Sequence, residues 1–142
     1  MKWIYDDGGR AEAGYKGATG DCVTRAIAIA TGKPYSEVYD ALNVEAERER
    51  PRGRRRRSSA RTGVARPTAG RYLASLGWKW TPTMSIGSGC KVHVREGELP
   101  GGRLILNLSR HFAAVIDGVV HDTHDPSRGG TRCVYGYWTA PE

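Results

Sequence analysis

The sequence predicts an α+β domain, helices first and a sheet after them. Apolar residues recur at helical spacing in the first 76 residues, whereas from Arg103 onward they run or alternate in short stretches split by turns. Asp117-Gly118, lying between two apolar runs, is the strongest short-range hairpin signal in the chain.

In chain order, residues 1–19 are rich in glycine and polar groups, with a short strand or extended arm expected at Trp3–Tyr5. A buried helix should follow Gly20-Asp21-Cys22. Val23, Ala26, Ile27 and Ala30 fall at i, i+3, i+4 and i+7, Asp21 suits the N-cap, and Gly32 with Pro34 stops the helix. A second helix is expected from about Ser36, with Val38, Tyr39, Leu42 and Ala46 inward. A third runs from about Pro67 to Leu76, with Tyr72, Leu73 and Leu76 on its apolar side. Trp78-Lys79-Trp80 begins a strand, Met84–Cys90 is a loop, and Lys91–Arg95 is a short strand. Arg103–Leu108 is nearly all apolar, as in a central strand. His111–Ile116 and Val119–Thr123 form the hairpin, and Cys133–Trp138 is the last strand.

Bulk properties bound the function. The 142 residues suffice for one domain, expected to span 1–142. No apolar run reaches membrane-spanning length, and the N-terminus lacks the apolar core of a signal peptide, so the cytoplasm is expected. Three cysteines, odd in number and widely spaced, point to reduced thiols, with Cys90 and Cys133 as packing residues. The net charge of +7 is concentrated: residues 45–61 hold eight arginines and three glutamates. Residues 47–61 are therefore expected to form a mobile, solvated arginine-rich loop that enters no core.

The chemistry centres on Cys22. A thiol at a helix N-terminus sits at the positive end of the macrodipole, which favours thiolate. It needs a base, and an imidazole base needs a partner on its second nitrogen. If Asp117-Gly118 is a two-residue turn, Ile116 faces Val119, Val115 faces Val120 and Ala114 faces His121. His111 and Asp122 then share a face as diagonal neighbours, with the small Ala113 between them. This register selects Asp122 rather than Asp125 to orient His111, leaves His121 a bystander on the other face, and makes His124 an auxiliary candidate. Helix N-terminal amides can serve as the oxyanion hole.

The Gly20-Asp21-Cys22 helix, a basic middle and the run Ser109–Thr123 together resemble the papain-like cysteine peptidase superfamily, most of all its small bacterial and phage members. Apart from the arginine loop, the chain also resembles small uncharacterised phage and prophage proteins. The resemblance implies a papain-like fold, with the nucleophile helix packed on a C-terminal antiparallel sheet, and a host cytoplasm if the protein is phage-encoded. It implies a cysteine-dependent hydrolase in which Cys22 attacks, His111 acts as base and then acid, and Asp122 orients it. The bond attacked would be a peptide, isopeptide or side-chain amide of a protein or peptide substrate. Deamidation and acyl transfer are open to the same site. The family places a glutamine about six residues before the cysteine to help form the oxyanion hole. Here that position is Lys16, which together with Asp21 is an oxyanion or auxiliary candidate.

Two other readings compete. Arg54, Arg55, Arg56 and Arg57 could contact nucleic acid or an acidic partner, each neutralising a phosphate. No aromatics interleave with them, so base stacking is not expected there. Cys90, His93, His121, His124 and Cys133 could hold a structural zinc, although residues three apart on a strand point to opposite faces. The hydrolase reading calls for no cofactor, metal or membrane, and the sequence assigns no oligomeric state.

Overall fold

The computed structural model describes residues 1–17, 19–50 and 56–142, and the fold is α+β. The described elements are β1 (Lys2–Tyr5), α1 (Cys22–Thr31), α2 (Tyr35–Ala46), α3 (Arg66–Ser75), β2 (Lys79–Pro82), β3 (Arg103–Leu108), β4 (His111–Ile116), β5 (Val119–Asp122) and β6 (Gly136–Thr139). Six strands form one sheet in the order β1-β5-β4-β3-β6-β2.

The nearly continuous apolar run of β3 follows from its place inside the sheet, between β4 and β6, with both faces covered. Alternation divides the core. Ile105, Phe112 and Ala114 pack against the three helices together with Val23, Ile27, Val38, Leu42 and Leu73. Leu104, Leu106, Leu108, Ala113, Val115 and Val120 face the other way, where Val94 and Val134 cover them from the loops around β6. The hairpin has the expected register, with Ala114 opposite His121, Val115 opposite Val120 and Ile116 opposite Val119. Asp117 and Gly118 both have positive φ (48° and 80°), the signature of a type I′ turn.

Several expectations are corrected. The sheet is not purely antiparallel or purely C-terminal: β1 pairs parallel with β5 at one edge, and β2 occupies the other. Asp21 stands at the N-cap position of α1, but its side chain caps nothing. The second helix starts one residue before Ser36, with Pro34 at the cap position. Lys91–Arg95 is no strand. It contributes an isolated bridge between His93 and Cys133, flanked by Val94 N–H to the Arg132 carbonyl (2.9 Å) and Val134 N–H to the Val92 carbonyl (2.8 Å). Those pairings use up residues 133–134, so β6 begins at Gly136.

They also bring Cys90 and Cys133 together in a disulfide, Cα to Cα 5.8 Å. The expectation of three reduced thiols is thus wrong for two of them, and Cys22 alone is free. Because disulfides are rare in the cytosol, the thiol argument for a cytoplasm falls with it. Among the described residues no helix is long and apolar enough to cross a membrane.

The arginine-rich segment is corrected at both ends. Arg54 and Arg55 lie outside the described residues; Arg56 and Arg57 are exposed. The Glu49 carboxylate accepts from the Ser58 N–H (2.7 Å) and from the Thr68 hydroxyl. Ser59 and Gly63 bridge each other. Ala60 enters the core at 1% exposure, its N–H donating to Asn43 (2.9 Å) and its carbonyl accepting from Thr24 Oγ1 (2.7 Å). Residues 58–61 are therefore part of the packed structure.

Leu106 is fully buried in an interior strand. Leu106→Ala should cost about 2–5 kcal/mol in urea unfolding, whereas Ile86→Ala, at a fully exposed position, should leave the midpoint where it is.

Candidate active site

α1 lies across β4, and its first residue, Cys22, stands at the end of the sheet where β4 begins and β5 finishes. That end carries His111, first residue of β4, and Asp122, last residue of β5. His111 Nε2 is 2.6 Å from Asp122 Oδ2. The imidazole therefore has Nδ1 left over, and the partly exposed Cys22 thiol lies close enough to the His111 side chain and the Phe112 backbone N–H for both to favour its thiolate. The structure thus brings together Cys22, His111 and Asp122 in one line of contacts.

Burial pushes the Cys22 thiol up. The hydrogen bonds from His111 and the Phe112 amide, with the positive charges of His111 and Arg25, outweigh it, and the net direction is down. Burial likewise disfavours charge on His111, but the bonds to Asp122 and Cys22 prevail and raise it from 6.5 to about 9. Asp122 is 3% exposed; burial raises its pKa, while His111, the Thr123 N–H (2.7 Å) and Arg25 bring it below the usual carboxylate value. Both directions favour a thiolate–imidazolium pair over a neutral thiol and imidazole, beside a buried carboxylate.

A second buried carboxylate fixes the frame. Asp21, 1% exposed, accepts from Tyr35 Oη (2.7 Å), Thr19 Oγ1 (2.8 Å), Arg10 Nη1 (3.3 Å) and Arg25 Nη1. Burial raises its pKa, but these donors draw it below the usual carboxylate range. Burial and the Asp21 charge push the Tyr35 phenol far up, so it stays a proton donor. Arg25 also reaches Asp122 Oδ1 through Nη2, at 3.4 Å, and so ties α1 to the carboxylate at the end of β5. Sequence reasoning missed Arg25, although its i,i+4 spacing from Asp21 was readable. Arg10 and Tyr35 left no local signal, because their contacts with Asp21 cross loops.

Because the Asp21 carboxylate is fully engaged, it caps no amide of α1, and the first-turn N–H groups of Cys22 and Val23 have no side-chain acceptor. Cys22 and Val23 line a cleft of about 450 Å³, whose wall also includes Thr62, Gly63 and Val64. Gly20 allows this wall to approach. Its N–H bonds the Arg61 carbonyl at 2.9 Å, and a Cβ on it would lie 2.7 Å from the Thr62 carbonyl oxygen.

Lys16 is exposed and does not line this cleft; its carbonyl accepts from Arg61. It is therefore not placed to help an oxyanion. His124 does line the cleft, its ring 5.0 Å from that of His111 and its Nδ1 4.0 Å from Asp122 Oδ1. His121 sits apart, 3.4 Å from Asp6. The five residues of the zinc reading are not assembled: Cys90 and Cys133 are joined to each other, and His93 pairs with Glu98 at 3.1 Å. A metal could instead meet His111, Asp122 and His124, whose ligand atoms lie within 4.8 Å of one another. It would compete there for the groups that serve the thiol.

Two measurements check this frame. Arg25→Met leaves two buried carboxylates short of a cation and should lower stability by about 3–5 kcal/mol, far more than a surface arginine substitution. The second concerns pH. His111 is raised to about 9, so its share of stability is complete below about pH 6.5 and lost as pH rises through about 9. Cys22 is depressed, so its share is complete above about pH 8.5 and lost as pH falls through its folded value. The stability difference between wild type and Cys22→Ala should therefore be greatest between about pH 6.5 and 8.5. A difference independent of pH would mean a neutral thiol and imidazole.

Comparison of the chain with family models, with curated proteins and with solved structures gives no match. The chemistry of the site is read from its own geometry.

Proposed function

We propose that the protein is a papain-like, cysteine-dependent hydrolase that cleaves an amide through an acyl-enzyme. The observation that carries this reading is the line of contacts from Cys22, at the N-terminus of α1, through His111 to the buried Asp122. A helix bearing the nucleophile and lying across the strand that bears the base is also the architecture the resemblance implies.

In this mechanism the thiolate of Cys22 attacks the substrate carbonyl carbon. A C–S bond forms, and the oxyanion is met by the uncapped amides at the start of α1. The C–N bond then breaks, and the His111 imidazolium gives its proton to the leaving amine. The neutral imidazole next takes a proton from water, which attacks the thioester carbonyl. The C–O bond forms, the C–S bond breaks, and Cys22 leaves as thiolate beside a protonated His111. Asp122, held by Arg25 and the Thr123 N–H, keeps Nε2 engaged throughout, so that Nδ1 faces the thiol and the leaving group.

Alkylation with iodoacetamide at pH 6 tests the reading. An ordinary thiol is less than about 1% thiolate there, so Cys22 should react on the order of 100-fold faster than a free cysteine. His111→Ala should remove that advantage. Slow labelling that tracks ordinary thiol titration in both proteins would make Cys22 a structural residue.

A further inference from the structure

We propose that the cleft beside Cys22 selects acidic substrates: peptides carrying a carboxylate close to the scissile amide, bound by Arg66 and Arg110. This deepens the hydrolase reading and rests on it.

The two arginines line the cleft, are exposed, and form no ion pair with any carboxylate among the described residues. The acid that lines the cleft with them is Asp21, whose carboxylate is buried and already satisfied by four donors. Arg25 lines the same cleft at 8% exposure, with its Nε–H lacking an acceptor. Cys22, His111 and His124 complete the charged and titratable lining. The cleft thus has guanidinium donors to spare and, among the described residues, no free carboxylate to meet them.

Both arginines also sit where local structure disfavours them. Arg110 has φ 55° in the two-residue turn between β3 and β4, a conformation that costs a residue with a Cβ about 1–3 kcal/mol and that glycine or asparagine would adopt more readily. Arg66 is the first residue of α3, where a cation opposes the helix dipole and no acidic residue in the first turn offsets it. Its guanidinium is steadied instead by a bond from Nη2 to the Leu108 carbonyl (2.7 Å) and by the Tyr135 ring, 5.1 Å away. Local preferences broken at two positions of one cleft are what a binding site produces. A planar guanidinium matches a carboxylate in two parallel hydrogen bonds. A peptide is favoured over nucleic acid because the thiol needs an acyl carbon to attack, and a phosphodiester backbone has none.

The test is the rate of Cys22 alkylation by anionic iodoacetate against neutral iodoacetamide, as a ratio within each protein and normalised to glutathione. In wild type at low salt the normalised ratio should exceed 10. It should fall at least fivefold in Arg110→Gln and further in Arg66→Gln/Arg110→Gln. Wild type supplies a second readout should the double variant not fold: glutarate should protect Cys22 from iodoacetamide, and glutaramide should not. Fast iodoacetamide labelling with a ratio indifferent to both arginines would overturn the acidic-substrate proposal and leave the nucleophile intact. Slow labelling by both reagents would instead remove the hydrolase reading, and this proposal with it. Protection by a thymidine oligonucleotide at concentrations where glutarate has no effect would overturn the peptide assignment.

Discussion

The site depends on the neutralisation of one buried carboxylate. Asp21 has almost no contact with water, and a charge so placed is tolerated only when donors surround it. Arg10, Thr19, Arg25 and Tyr35 supply them, from the N-terminal loop, from α1 itself and from the start of α2. Three segments are thereby fixed around the residue that precedes Cys22. The same engagement removes Asp21 from its expected role as a cap, leaving the first-turn amides of α1 without a side-chain acceptor. Arg25 extends the frame to Asp122, so the helix that carries the thiol and the strand that carries the orienting carboxylate are joined by charge as well as by packing.

The sheet contributes position. His111 and Asp122 occupy the start of one strand and the end of its antiparallel neighbour, which places them at the same end of the sheet. The tight Asp117-Gly118 turn holds that register from the opposite end. Burial on both faces makes a slip of one residue costly, because it would turn Leu104, Leu106 and Val115 toward the helices. The rigid core therefore supports the separation of His111 and Asp122. Cys22 and His111 are partly open to solvent at that end of the sheet, whereas Asp122 is buried behind them.

Much of this was legible locally. The periodicity of Val23–Ala30, the Asp117-Gly118 turn and the pairing rule of antiparallel strands were enough to predict α1, the hairpin and the proximity of His111 to Asp122. These are short-range regularities, governed by side-chain period and turn chemistry. The reading failed where partners are distant. The disulfide depends on residues 90–94 lying beside 132–134, and Ala60 is buried although it sits between Ser59 and Arg61 in the arginine-rich segment. β1 adds to the sheet next to a strand more than a hundred residues away.

The sequence by itself determined which residues have the chemistry of a thiol, an imidazole and a carboxylate, and the local geometry that aligns the last two. Backbone period and turn type act over a few residues and need no knowledge of the rest. Only the tertiary structure decided what surrounds those groups: that Arg25 bridges Asp21 and Asp122, that Lys16 stays outside the cleft, and that Arg66 and Arg110 enter it. Burial and charge pairing depend on distances through space between segments far apart in the chain, and those distances exist only once the core has closed.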